Sequence, residues 1–260
     1  MRPGDRLIII AVLASLGLLA IDMATGGGVA SWANASLPGL AQSIGGVLGI
    51  AGLALSPLLL VPLITAFAGR FMRLPPIVWS LHRRAIAFLD TIALTIGGAA
   101  RWFALGLVVA TAIIVIQRYV FGYASTKLAE SVIYMHALLF LLASASTLLS
   151  GGHVRVDVFF AKATERGKAW TDLWGTYLTL MPMSALILWS STGYMNSTWR
   201  ILESSRESDG LAFVFLLKTA IPVFAVMMIL QGLSMAARAA MTIGGEDAPA
   251  TPAALADAEI

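Results

Sequence analysis

Ala99–Tyr119 reads AARWFALGLVVATAIIVIQRY, and this stretch decides the fold. Crossing a bilayer takes about 20 mostly apolar residues wound as a helix, because lipid offers no partner to a bare backbone group. The stretch meets that requirement, and Arg118 and Gly122 end it. Leu128–Ser150 follows after a short connection, and Leu173–Thr192 carries Pro182 inside it. The last apolar run spans Lys218–Met241 around Pro222 and Gln231. Toward the N-terminus, Ile44–Ala68 holds Pro57 and Pro62, and Leu7–Ala24 stands first, separated from it by a Gly-rich, uncharged loop. Prolines kink such helices, and a bundle tolerates them. The pattern predicts an all-α, polytopic transmembrane helical bundle. It has a four-span core, an N-terminal two-span hairpin and interfacial amphipathic helices.

Composition agrees. The chain has 260 residues, 58% of them hydrophobic, and its mean hydropathy is +0.85. Charged residues make up 12%, where a soluble domain carries about 25%. Too few polar groups remain to cover a water-facing surface. The net charge of +3 does not point to nucleic acid, because the basic residues cluster at helix ends, where they set topology. Cysteine is absent, which excludes disulfides and thiolate metal sites. No alternating segments of the kind a barrel needs are present.

The organisation reads as four parts. Residues 1–69 form the hairpin, 70–98 a basic linker and interfacial helix, 99–241 the core, and 242–260 a disordered tail. Arg2 and Arg6 before an apolar run, with Ala33-Asn34-Ala35 beyond it, resemble a signal peptide. The distance from run to candidate cleavage site is long, so an uncleaved span is expected. In the linker, Ile77, Leu81, Ile86, Phe88 and Leu89 alternate with His82, Arg83, Arg84 and Asp90. Such a helix lies in the membrane interface; the alternative is a cytoplasmic extension of the next span. Lys and Arg counts set the orientation. Arg70–Arg84 holds four, as does Ser150–Thr171, whereas Arg118–Lys127 and Gly193–Leu217 hold two each. Six spans result, with both termini cytoplasmic.

Few residues suggest chemistry. Gly151–Asp157 (GGHVRVD) places His153, Arg155 and Asp157 at alternate positions where two spans meet water. Residue physics alone reads it as a cytoplasmic turn, with Arg155 on lipid phosphates and Asp157 capping a short helix. A contact with something other than lipid is the second reading. Arg118 and Glu130 flank one short connection and can pair. Lys218 opens the last span, where a lysine snorkels to water. His136 lies inside the fourth span, and a neutral histidine hydrogen-bonded across a helix interface is the expected reading. Ser144–Ser146 with Ala143 is small-residue packing. Neither a phosphate loop nor a nucleophile elbow occurs, the three histidines lie far apart, and no enzyme is expected.

Taken in order, several segments form a set. They are Arg118-Tyr-Val-Phe-Gly122, Glu130-Ser-Val-Ile-Tyr134 with His136-Ala137, Gly152-His-Val-Arg-Val-Asp157, Leu216-Leu-Lys218 with Ile221-Pro222, and Gln231-Gly232. This set resembles the small integral-membrane subunit of tripartite ATP-independent periplasmic (TRAP) transporters, over roughly Leu81 to Arg238. Glu130–His136 and the Leu-Leu-Lys segment look closest to the branch labelled mannitol/chloroaromatic.

The resemblance implies a subunit that helps import organic acids across the bacterial inner membrane by secondary transport. Its expected partners are a large membrane subunit, a periplasmic solute-binding protein and membrane lipids. Substrate and sodium sites are expected in the large subunit, leaving this chain without a cofactor. Arg118, Glu130, His153, Arg155, Asp157 and Lys218 become candidates for the subunit interface. The first two spans lie outside the resemblance. Two other readings stay open: a self-sufficient channel or carrier lined by His136, Gln231 and Lys218, and a membrane scaffold unrelated to transport.

Overall fold

A computed structural model describes residues 2–153, 160 and 162–252. Helix accounts for 83% of it, and no strand occurs among the described residues, so the fold is an all-α bundle. The helices are α1 (Pro3–Ala24), α2 (Gly28–Leu55), α3 (Val61–Phe71), α4 (Pro76–Ala100), α5 (Trp102–Val120), α6 (Thr126–Leu149), α7 (Glu165–Gly175), α8 (Met181–Arg200) and α9 (Val214–Gly244).

Five helical runs are long and apolar enough to cross a membrane: Pro3–Ala24, Gly28–Phe71, Pro76–Val120, Thr126–Leu149 and Val214–Gly244. The sequence predicts six. The remaining one, Leu173–Thr192, falls in α7, a π-helical segment (Thr176–Leu180) and α8. That region is helical, but Ser190, Ser191, Thr192, Asn196, Ser197 and Thr198 dilute its apolar character.

Prolines explain the irregular turns. A 3-10 segment, Ser56–Leu60, joins α2 to α3 at Pro57 and Pro62. The π segment stands just before Pro182, whose ring crowds the carbonyl four residues back, that of Leu178. The expected Gly-rich loop shrinks to one tight turn, with Gly26 and Gly27 at φ 63° and 93°. Pro38 then sits inside α2, among alanines and leucines that favour helix.

Contacts gather into two compact units. The first comprises Met1–Ala51, Thr95–Ala143 and Ser190–Val223. In it, α1 touches the end of α4 at Gly4, where an added Cβ would lie 2.5 Å from the Gly98 carbonyl carbon. Asp5 beside that contact accepts from Arg101 and from Trp102 Nε1. The candidate span in α1 is otherwise unburied.

The second unit comprises Gly52–Leu94, Ser144–Trp189 and Phe224–Ile260. Its hub is the C-terminal half of α9. Ala236, Ala239, Ala240 and Ile243 pack on Ala66 of α3 and on Ala169 and Leu173 of α7. Ala237 and Met241 pack on Trp79 and Ile86 of α4. Small residues let helix backbones approach where lipid supplies no hydrophobic drive for helices to associate. Ser144 and Ala145 of α6 are buried as that rule expects.

The residues assigned by sequence to one hairpin are thus divided between the units, because α3 packs with α7 and α9. Helix α9 runs to Gly244, and Arg238 Nε then donates to the Pro249 carbonyl at 3.1 Å.

Candidate functional site

The polar groups of the first unit gather around the loop Ile201–Phe213, after α8. Leu202 turns the chain there at φ 45°, a left-handed conformation usually left to glycine. Glu203 N–H donates back to the Thr198 carbonyl at 3.0 Å, which closes the end of α8. The turn brings the Glu203 carboxylate to the start of α9. Its Oε2 accepts from Lys218 Nζ at 2.6 Å and from Thr198 Oγ1 at 2.6 Å. The Lys218 ammonium, and then the Thr198 hydroxyl, hold the Glu203 carboxyl below the usual glutamate range. Trp199 Nε1 donates to Thr219 Oγ1 at 2.9 Å, and the Trp199 ring meets Phe215 edge-on at 4.9 Å.

The same loop is tied to α6. Glu130 accepts from Leu211 N–H at 2.6 Å and from Ser205 Oγ. Lys127 pairs with Asp209 at 2.7 Å. Gly210 lies between these groups, and a Cβ there would come within 2.8 Å of Glu130 Oε1. One loop is therefore fastened to α6, α8 and α9 by carboxylates: Glu130 of α6 accepts from the loop, and Glu203 and Asp209 of the loop accept from Lys218, Thr198 and Lys127.

The sequence candidates fare differently. Glu130 and Lys218 join this cluster. Arg118 does not pair with Glu130; it is exposed and makes no hydrogen bond or ion pair among the described residues. Gly122, at φ 63°, closes the α5 end in a turn, and the Glu130 carboxylate is already taken by the loop. Lys218 is held by Glu203 rather than left to water. His153 is exposed, and Arg155 and Asp157 lie outside the described residues. His136 is exposed and has no hydrogen bond among the described residues, so the expected bond across a helix interface is not found.

Sequence reasoning missed Glu203, Thr198 and Ser205. The available signal was an acidic trio, Glu203, Glu207 and Asp209, just ahead of a lysine that opens an apolar helix.

A second cluster, in the other unit, joins α4 to α9. Arg238 forms an ion pair with Asp90, and Ser234 Oγ donates to Asp90 Oδ1 at 2.7 Å. Both charged side chains are largely buried, at 11% and 16% exposure. Nearby, His82 is buried between Thr65 Oγ1, at 3.0 Å, and the Val78 carbonyl, at 2.9 Å. Gln231 of α9 is buried with neither amide atom paired.

These arrangements fasten helices together; neither places an attacking group beside an acceptor for one. Residues 107–242 match the family described as tripartite ATP-independent periplasmic transporters, DctQ component. Among curated proteins and solved structures nothing matches the chain. Components of this family work with DctM and a periplasmic binding protein in TRAP systems. The match begins in α5, ends in α9 and takes in Glu130, the Glu203 loop, Lys218, Ser234 and Arg238, so more than half of the chain lies in it. By that match the chain belongs to the DctQ family, as the small permease component of a TRAP transporter and a multi-pass membrane protein.

Proposed function

We propose that this chain is the lateral brace of a TRAP transporter that imports organic acids across the bacterial inner membrane. It contributes no substrate ligand and no ion site; those belong to the large subunit, with sodium as the coupling ion. The fastened loop, Ile201–Phe213, faces the periplasm and helps dock the solute-binding protein. Both termini lie in the cytoplasm. The orientation rests on the excess of Lys and Arg in Arg70–Arg84 and Ser150–Thr171.

One observation carries the reading. The loop side chains Glu203, Ser205 and Asp209 are spent on holding it to three helices, not on lining a path. A carrier concentrates broken helices and unpaired polar groups around a solute at mid-membrane. A docking surface needs a loop whose shape is fixed before its partner arrives, because ordering it on binding costs affinity. Arg118, His153, Arg155 and Asp157 are the remaining candidates for contact with the large subunit.

Reconstitution tests the division of labour. The chain alone in proteoliposomes is expected to take up no organic acid under a sodium gradient. Together with the large subunit and the binding protein it supports uptake. Uptake by the chain alone overturns the proposal. Asp157→Ala is expected to lower co-purification with the large subunit while leaving membrane insertion intact; an unchanged yield removes that residue from the interface.

A further inference from the structure

We propose that the junction of α3 and α4 is a headgroup site for an anionic phospholipid. A cavity of about 500 Å³ opens there, within the range of small-molecule sites. Arg70 and Arg73 stand at its edge. Both are exposed, and neither has a hydrogen bond or ion pair among the described residues.

The wall behind them is built. Trp79 is buried and held by two glycines whose missing side chains leave room for its ring. A Cβ on Gly244 would lie 2.7 Å from Trp79 Cη2, and one on Gly69 would lie 3.1 Å from it. Glu246 is the acid in the lining, and it is already engaged with Arg83 at 3.6 Å. Arg83 Nη1 also donates to the Asp247 carbonyl at 3.1 Å. The charge left unanswered is that of the two arginines.

Position selects the ligand. Arg70 and Arg73 end a run without any charged residue that begins after Asp22, and the run's last helix belongs to a candidate span of 44 residues. Phe71 and Met72, between the arginines, are 82% and 61% exposed. Apolar side chains flanked by guanidinium groups fit a boundary where acyl chains give way to phosphates. A guanidinium offers paired N–H donors that match phosphate oxygens. The carbonyl end of α3 disfavours an anion, so a single arginine would hold one poorly.

The test uses the full chain, delipidated in detergent. Dioleoyl phosphatidylglycerol is titrated by native mass spectrometry, with dioleoyl phosphatidylcholine and inorganic phosphate as further arms. Phosphatidylglycerol is expected to bind the wild type, and Arg70→Gln with Arg73→Gln to weaken binding about 30-fold. Arg2→Gln with Arg6→Gln is expected to leave it unchanged. Phosphatidylcholine is expected to bind far more weakly, and millimolar phosphate not to compete. A variant that binds like the wild type overturns the site. Equal binding of phosphatidylcholine overturns the charge recognition, and full competition by phosphate overturns the lipid as its source. Thermal stabilisation of the wild type by phosphatidylglycerol over phosphatidylcholine needs no variant, and its absence would also count against the site.

Discussion

Leu202 carries a strain that the neighbouring carboxylate makes worthwhile. A left-handed leucine costs about 1 kcal/mol relative to glycine. Such strain persists where surrounding bonds hold it, and here they are the Thr198 carbonyl and the Lys218 ammonium on either side of Glu203. Leu202→Gly is therefore expected to raise the apparent melting temperature in detergent, by the equivalent of about 1 kcal/mol at most; a drop would mean the leucine side chain is needed there. The Glu203 tie also has a pH signature. Its carboxyl is depressed by Lys218 first and Thr198 second, so the contribution is complete above glutamate's ordinary range. It is lost as the pH falls below glutamate's ordinary range and through the depressed value. The melting difference between wild type and Glu203→Gln should be constant from pH 7 to 5 and shrink on further acidification. A difference that grows on acidification would reverse the assignment.

Helix α4 separates what the sequence made legible from what it hid. Hydropathy marked the apolar runs, since lipid imposes length and composition on any spanning helix. The inward face of α4 was not marked. The pattern puts Ile77, Leu81, Ile86, Phe88 and Leu89 on one apolar face; Ile77, Leu81 and Phe88 are exposed, Phe88 at 66%, whereas Ile86 and Leu89 are buried. The buried stripe is Trp79, His82, Ile86, Leu89 and Ala93, a spacing of three and four that includes a histidine. In a membrane the outward face can be as apolar as the core, so polarity no longer tells inside from outside. Arg101 is helical at φ −56° and ψ −26°, so α4 and α5 follow one another without a loop. The partners of Asp90 and Glu130 were hidden for another reason: they lie 148 and 81 residues away. The Asp90–Arg238 pair makes the inward face testable. Asp90→Ala strands a largely buried guanidinium and is expected to cost about 3 kcal/mol. Asp90→Ala with Arg238→Met removes both charges and should cost clearly less, a non-additivity read from melting of the purified variants. Equal losses would mean the pair is solvated.

Across the whole chain, the N-terminal region is where the sequence's division and the packing part company. Residues 1–69 read as an added hairpin because no charged residue occurs between Asp22 and Arg70 and both spans lie outside the family resemblance. Packing cuts elsewhere. Met1–Ala51 belongs to the first unit and touches it through Gly4 and Asp5, while α1 stays almost wholly unburied. Gly52–Phe71 belongs to the second unit. There Ala66 is fully buried, and Phe67 meets Trp170 edge-on at 5.1 Å. Thr65 satisfies the buried His82, and the Leu59 carbonyl accepts from the Tyr177 hydroxyl. Removing α3 would strip a face from the packed cluster and leave buried polar groups unpaired, at about 1–3 kcal/mol each. Two truncations should therefore behave differently. A chain beginning at Gly52, behind an initiator methionine, is expected to insert and to elute as a single species in detergent, with a modest loss of melting temperature. A chain beginning at Met72 is expected to aggregate or to be degraded, although the residues matched by the family are intact in both. Gel filtration of the two membrane extracts decides it. If they elute alike, α3 is an appendage as the hydropathy implied; if only the shorter chain fails, the small permease component of this transporter includes a helix that lies before its family match begins.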